Sequence, residues 1–172
     1  MDLLKTSLPL IFPAILVAAA LRDLTSFTIP NWMSGVLFLL YFPIAWIVGL
    51  SLGDIGLAAA LGVTGLLVGF GMFAANWIGG GDAKLLAASA PWIGLSGLPT
   101  FLLVTAISGG GLAMMLLWLR SDWVAAHVAT GPKWLTRLAT PGEGVPYGVA
   151  IAFGGLIAFP VTKIAGALVA TF

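Results

Sequence analysis

The stretch IGLAAALGVTGLLVGFGMFAANWIGGGDAKLLAASA, residues 55–90, decides the fold class of this chain. Residues 55–77 carry no charge, and about 20 apolar residues are enough to cross a hydrocarbon layer as a helix. Three glycines, an aspartate and a lysine then interrupt the apolar sequence before it resumes at Leu85. We infer a membrane-spanning helix, followed by a turn that holds an acid at the membrane edge.

The composition of the whole chain agrees with this inference. The 172 residues are 60% hydrophobic and 8% charged, with a mean hydropathy of +1.13, whereas soluble domains carry roughly 25% charged residues. The apolar runs are long and do not alternate as barrel strands do, which predicts an all-α polytopic membrane protein. A net charge of +1 offers no basic patch for nucleic acid. The lack of cysteine excludes disulfides, thiolate metal sites and a cysteine nucleophile.

The apolar runs predict about six transmembrane helices in a single domain, residues 1–172. The fourth is short and contains Pro91, so we expect it to be kinked or not to span fully. One polar loop, residues 120–146, separates the last two helices. Six of the seven tryptophans lie near the predicted helix ends, where the headgroup layer favours them. The predicted helices are Leu8–Leu21, Trp32–Leu50, Ile55–Trp77, Ala83–Leu95, Pro99–Leu119 and Tyr147–Ala170; the six tryptophans are Trp32, Trp46, Trp77, Trp92, Trp118 and Trp123.

The distribution of lysine and arginine predicts the orientation. With both termini outside, five cations lie inside and two outside, as the positive-inside rule favours. Asp23 and the Gly-Gly-Gly-Asp turn then share the cytoplasmic face. The inner cations are Arg22, Lys84, Arg120, Lys133 and Arg137, and the outer ones are Lys5 and Lys163.

The first apolar segment has an alternative interpretation as a cleavable signal peptide. Lys5, a short apolar stretch and the small residues of VAAALR are typical of such a segment. Cleavage there would detach the segment that holds Asp23 near the membrane.

Two of the six acids stand out by position. Asp23 and Asp82 lie at the same membrane edge, 82 − 23 = 59 residues apart, with two predicted spans between them, so topology allows them to meet. Taken alone, Asp82 could cap the fourth helix and Asp23 could pair with Arg22. Ionisable groups beside the hydrocarbon are costly and tend to mark function. Asp54 is predicted as the N-cap of the third helix, and the remaining acids are explained by solvation at the terminus (Asp2) or in the polar loop (Asp122 and Glu143).

Two carboxylates on facing helix ends suit acid–base hydrolysis. Close like charges do not ionise together easily, so such a pair shares one proton. The ionised member takes a proton from water while the protonated member donates to the scissile carbonyl. Gly79, Gly80 and Gly81 lack a Cβ, so we expect positive φ angles and the close approach of a second backbone at this turn.

Three motifs in order resemble one family of membrane proteases. GGGD at 79–82 fits the Gly-x-Gly-Asp signature of intramembrane aspartic proteases, and GGGDAKLLAA at 79–88 looks like the prepilin peptidase version of it. RDLTSFTIPN at 22–31 resembles the first-aspartate segment of that family, and VPYGVAIAFGG at 145–155 is similar to the entry to its last helix. The small size is most similar to the peptidases of tight-adherence (Flp) pilus systems. Presenilin-type relatives carry Tyr before the first acid, and Arg22 in that place favours the prepilin branch.

The resemblance implies an activity and a location. Asp23 and Asp82 would be the catalytic pair of an enzyme without cofactor or metal in the bacterial inner membrane, facing the cytoplasm. Its substrates would be pilin and pseudopilin precursors, cut between a short leader and an apolar helix. Larger members add a cysteine-bearing cytoplasmic region and methylate the new N-terminus. This chain has no cysteine and no large loop early in the sequence, so the resemblance implies no methyltransferase activity.

Other polar residues are secondary candidates. Lys84 could pair with Asp82 or anchor the fourth helix to headgroups, and Asn31 is predicted as an N-cap that could also contact substrate. Arg22, Pro146 and Tyr147 are further candidates for substrate contact or for tuning the pKa values of the acids. Lys163 lies in the last apolar run and is expected to extend outward. The segment at 123–138 mixes Trp, Lys and Arg and is a candidate for the membrane surface.

Other enzyme classes and one non-enzymatic class fit less well. GLSG at 94–97 matches the rhomboid serine protease motif, but the chain's one histidine, His127, lies in the polar loop. A zinc protease would need two histidines. SGGGL at 108–112 repeats the glycines without an acid, and close helix packing explains it.

The alternative from another class is a small transporter or channel whose two aspartates bind a proton or cation. Such acids are expected near the midplane, usually with repeat symmetry.

Overall fold

The computed structural model describes residues 7–128 and 130–169, and these residues form helices and turns without a strand. The all-α prediction is therefore confirmed. Two single turns of 3₁₀-helix precede the first helix and follow the seventh, at Leu8–Leu10 and Phe159–Val161. The helices are α1 (Ile11–Ser26), α2 (Asn31–Ile47), α3 (Leu52–Ala74), α4 (Gly80–Leu119), α5 (Asp122–Val128), α6 (Lys133–Leu138), α7 (Gly148–Ala158) and α8 (Lys163–Val169).

Most of these helices are apolar enough for a lipid environment. By length and composition, three stretches of helix can cross a membrane: Leu8–Ser26, Leu52–Ala74 and Gly80–Leu119. Two shorter apolar stretches, Asn31–Ile47 and Gly148–Val161, accompany them. The chain is thus an integral membrane protein, as its composition predicts.

Helix α4 is not one straight rod but folds back on itself at Gly94. Its 40 residues would measure about 60 Å if straight, twice the thickness of a hydrocarbon core. Gly94 has φ 62° and ψ 177°, which interrupts the helix. Asp82 and Ala113 line one cavity, although a straight helix would separate them by about 46 Å. Residues 80–93 and 95–119 therefore run antiparallel and correspond to the predicted fourth and fifth helices.

The sixth predicted helix is divided. Helix α7 ends at Ala158, and Pro160 in the following turn lacks the N–H that a continuous helix needs. Helix α8 then begins at Lys163. The predicted end at Ala170 lies outside the described residues, as do Asp2 and Lys5.

Asp54 and Lys163 meet at the end of the bundle where α3 and α8 begin, and the prediction for Asp54 is wrong. Ser51, not Asp54, is the N-cap of α3, and its hydroxyl accepts from the Asp54 N–H at 3.1 Å. Lys163 does extend outward, with 65% of its side chain exposed, and its ammonium lies 2.5 Å from the Asp54 carboxylate. This ion pair joins the starts of α3 and α8. Gly94 lines a cavity with both residues, which places the reversal of α4 at the same end.

The core is centred on Trp92, which is 1% exposed. Its ring stacks on Phe12 at 5.4 Å between centroids, and its indole N–H donates to the Leu37 carbonyl at 2.8 Å. The prediction that Trp92 lies in the headgroup layer is therefore wrong. Leu16 and Phe12 of α1 are fully buried, so the first apolar segment is part of the bundle.

Candidate active site

Asp23 lies in the last turn of α1 and is held by the start of α7. It is 5% exposed, and its Oδ2 accepts from the Gly148 N–H at 2.7 Å. A Cβ on Gly148 would stand 2.9 Å from Oδ2 and 3.1 Å from the Asp23 Cβ, so glycine is what permits this approach. Gly148 is the first residue of α7, and the N–H of a first helical residue has no hydrogen-bond partner within its own helix. The Asp23 carboxylate of α1 therefore accepts a hydrogen bond from an N–H group that would otherwise be unpaired at the start of α7.

Asp82 is held in a similar way at the start of α4. It is the third residue of that helix, after the N-cap Gly79, and it is partly exposed. Its carboxylate lies close to the Gly79 backbone, and a Cβ on Gly79 would stand 2.8 Å from its Oδ2. An acid at this position commonly reaches back to the N-cap N–H. Gly79, not Asp82, is therefore the N-cap of α4, and Asp82 lies in the first turn of the helix and in the cavity described next.

Asp23 and Asp82 line one open cavity of about 840 Å³ at one end of the bundle. This cavity is called the acid cavity below. Its walls come from the ends of α1 and α3, the start of α4 and the segment that leads into α7. No hydrogen bond joins the two carboxylates in the part of the chain that the structure describes, where Asp23 has its own backbone donor at Gly148. The structure thus places in one cavity the two acids that the sequence singled out, without a hydrogen bond between them.

The three glycines behave as predicted in one respect only. A Cβ on Gly81 would lie 3.3 Å from the Ile29 side chain and 3.6 Å from its backbone, so a second segment does pack closely here. The expected positive φ angles are wrong. Gly79 has φ −68°, and Gly80 and Gly81 are helical, because the turn into α4 is made three residues before Gly79, at Asn76, with φ 58°.

The polar loop contributes two charged residues that sequence analysis did not select. Arg137 and Glu143 both line the acid cavity and form an ion pair, with Nε 3.3 Å from Oε1. The Arg137 guanidinium also donates to the Ser26 carbonyl at 3.3 Å and lies 4.6 Å from the centre of the Phe27 ring. Arg137 therefore fixes the loop to the end of α1. The sequence offered no signal for this contact, because 111 residues separate the partners.

Some of the secondary candidates lie away from the acid cavity. Lys84 does not pair with Asp82; its ammonium donates to Asn31 Oδ1 at 2.9 Å. Asn31 is the first residue of α2 rather than its N-cap, a position that Pro30 occupies. Both residues line a different groove. Arg22 is exposed.

Tyr147 is a secondary candidate that does line the acid cavity, whereas Pro146 is buried next to it. The Tyr147 ring lies directly over Gly109, where any Cβ would overlap it. Close packing thus explains the first glycine of the SGGGL motif, as predicted. Among the described residues, no group of three or more His, Cys, Asp or Glu side chains could hold a metal ion.

The fold and the site define an α-helical membrane protein with two aspartates in one cavity at the end of its helices. Residues 10–114 match the type IV leader peptidase family, and the chain belongs to this family. The matched range includes Asp23 and Asp82, but it ends before Arg137 and Gly148.

One curated relative gives a partial match. The chain is 47% identical over 60 residues to a prepilin leader peptidase/N-methyltransferase of Pectobacterium carotovorum subsp. carotovorum. The aligned segment covers 34% of this chain and 20% of that relative, so the chain spans only about a fifth of the relative's length. No solved structure matches the chain.

Proposed function

We propose that this protein is an intramembrane aspartic endopeptidase that removes the leader peptide from type IV prepilins and pseudopilins. The observation that carries the proposal is the acid cavity, in which Asp23 and Asp82 reach one space from helices far apart in sequence. Membership of the leader peptidase family and the partial likeness to a prepilin leader peptidase support the choice of substrate.

The chemistry assigned to the two acids is general acid–base hydrolysis. One carboxylate takes a proton from a water molecule, whose oxygen attacks the scissile carbonyl carbon. The other, protonated, donates to the carbonyl oxygen as negative charge develops there. Collapse of the tetrahedral intermediate breaks the C–N bond, and a proton passes to the amine that leaves. The acid cavity, with a volume of about 840 Å³, has room for water and the peptide group.

We assign the acid cavity to the cytoplasmic face of the bacterial inner membrane. Arg137 lines this cavity, and Arg120 anchors the same loop by donating to the Leu138 and Gly144 carbonyls at 3.0 and 2.8 Å. Cations at this end agree with the positive-inside rule. In this arrangement residues 1–172 form a single peptidase domain with a cytoplasmic loop at 120–146. The tight-adherence (Flp) pilus subtype is the one that we favour.

The test is co-expression with a Flp-type pilin precursor, with leader removal followed on a gel. Asp23→Asn and Asp82→Asn should each abolish processing while the protein remains in the membrane. Asp54→Asn is the matched control, because this acid lies at the opposite end of the bundle. Normal processing by either cavity variant would refute the assignment.

The absence of methyltransferase activity stays a prediction with its own measurement. The mass of the processed pilin's N-terminal peptide should correspond to a free amine. A methylated terminus that depends on this protein would contradict the prediction without affecting the peptidase proposal.

A further inference from the structure

A second concave site lies on the side of the bundle, between α2 and α3 and over the first half of α4. This lateral groove has a volume of about 300 Å³ and shares no lining residue with the acid cavity. Lys84 and Asn31 stand at one end of it, followed along α2 by Ser34, Gly35 and Phe38. The groove therefore changes from polar to apolar along its length.

Lys84 gives the polar end an uncompensated positive charge. Its ammonium has three donors, and the contact with Asn31 Oδ1 at 2.9 Å uses one of them. The two ion pairs found among the described residues, Arg137–Glu143 and Lys163–Asp54, do not include it. Asp82, two residues earlier, is directed to the acid cavity instead. A basic side chain between helices near a membrane face attracts anionic lipid headgroups.

Ser34 supplies a second polar group, one turn further along α2. The residue is 6% exposed, and its hydroxyl has no hydrogen-bond partner within residues 7–128 and 130–169. An unsatisfied buried hydroxyl is unfavourable, and rotation of this side chain toward the groove, which the residue lines, would let the hydroxyl donate to an acceptor of a bound ligand. From Asn31 to Ser34 the helix rises about 4.5 Å. The ester carbonyl of a glycerolipid follows its phosphate by a few atoms and is an acceptor of this kind.

The apolar end of the groove fits an acyl chain better than a helix. The Phe38 ring closes the groove by packing on Gly62, where a Cβ would stand 2.5 Å from it. An α-helix with side chains is 10–12 Å wide, so a 10 Å length of it displaces roughly 800 Å³. The groove, with a volume of about 300 Å³, is smaller than that. At Gly35 a Cβ would meet nothing within 4 Å, which leaves the space open for a chain.

We propose that the lateral groove binds one anionic phospholipid, with its phosphate on Lys84 and Asn31, an ester carbonyl at Ser34 and an acyl chain ending at Phe38. The site is independent of the proposed peptidase activity. A lipid seated there would fill the gap between α2 and α3 on the same face of the membrane as the acid cavity.

The test is native mass spectrometry of the full chain in detergent, titrated with dioleoylphosphatidylglycerol or with dioleoylphosphatidylcholine. The wild type should bind the anionic lipid about fivefold more tightly, the effect of one lysine near an anionic headgroup. Lys84→Gln should remove this preference, whereas Lys133→Gln, the same charge change on an exposed residue of α6, should preserve it. Equal binding of both lipids by the wild type would overturn the proposal, as would equal effects of the two lysine variants.

A groove-filling variant tests the acyl chain separately. Gly35→Leu should weaken binding of both lipids, and Gly56→Leu, at another glycine with open space around it, should not. Thermal stability in detergent checks that both variants fold. Inorganic phosphate alone should not displace the lipid; if it does, the site recognises phosphate only and the proposal is wrong. It is also wrong if Gly35→Leu leaves lipid binding intact but prevents a precursor's apolar helix from binding.

Discussion

Replacing Gly148 with alanine tests whether the start of α7 positions Asp23, the carboxylate that we propose as one of the catalytic pair. The added Cβ would stand 2.9 Å from Asp23 Oδ2 and 3.1 Å from its Cβ, closer than real Cβ atoms approach without displacement. It would also stand 2.8 Å from the end of the Ile29 side chain, which can move aside. Asp23 lies on a helix and cannot move so easily. The hydrogen bond from the Gly148 N–H, now 2.7 Å, must lengthen or break.

The size of the effect follows from the kind of bond that is lost. A hydrogen bond to a charged group contributes about 1.5–3 kcal/mol, and every 1.36 kcal/mol in the barrier changes a rate tenfold. If the bond keeps Asp23 in its reactive position, Gly148→Ala should slow leader removal by about 10- to 150-fold. The variant retains both carboxylates, so some activity should remain, unlike in Asp23→Asn.

The assay is the initial rate of precursor cleavage by purified enzyme in detergent or proteoliposomes. Gly110→Ala is the matched control, because a Cβ there meets nothing within 4 Å. Melting temperatures of both variants separate a displaced carboxylate from a general loss of fold. A Gly148→Ala enzyme that cleaves within twofold of the wild-type rate would refute the reasoning, because its Asp23 would not depend on this bond.

Three further predictions follow from the same contacts. Gly109→Ala should lower the free energy of unfolding by about 1–3 kcal/mol, since its Cβ would overlap the tyrosine ring before α7, and Gly110→Ala should be nearly neutral in the same denaturation experiment. Arg137→Gln should slow cleavage several-fold without lowering the amount of protein in the membrane, and lysine should not restore the rate because it lacks the planar fork. The chain has no cysteine, so the double variant Asp23→Cys/Asp82→Cys carries a single pair of thiols. These thiols should resist direct oxidation to a disulfide, but a flexible bis-maleimide should cross-link them. Rapid disulfide formation would show that the two positions touch at rest.

The apolar runs predicted the helices because lipid imposes a simple rule on sequence. A segment without charges has one stable place in a bilayer, so Ile55–Trp77 identifies α3 within three residues at each end. Topology then put Asp23 and Asp82 at the same end without any knowledge of packing. The sequence predicts a kink at Pro91 and a connection between the helices after Leu95, but the reversal of α4 is made at Gly94, where φ is positive.

Helix caps were predicted less well because neighbouring polar residues compete for the same N–H groups. Ser51 and Asp54 both lie at the start of α3. Ser51 is the N-cap because its backbone is extended there. Asn31 is similar, because Pro30 holds the extended conformation and leaves Asn31 inside α2. In both cases the displaced side chain instead contacts a lysine far along the chain, which no local pattern reveals.

The contacts that complete the acid cavity are tertiary, and this limits what any sequence motif can specify. The Gly-Gly-Gly-Asp turn fixes Asp82 by itself, because the carboxylate packs against the backbone of Gly79, three residues earlier. Asp23 has no such local partner and depends on Gly148, 125 residues later. The distance between the two acids is therefore set by how α7 packs on α1 and on the second half of α4. The contact with α4 is close, because a Cβ on Gly154 of α7 would stand 2.9 Å from the Phe101 carbonyl of α4. It follows that substitutions along α7, outside any aspartate motif, should change the rate of cleavage by changing this distance.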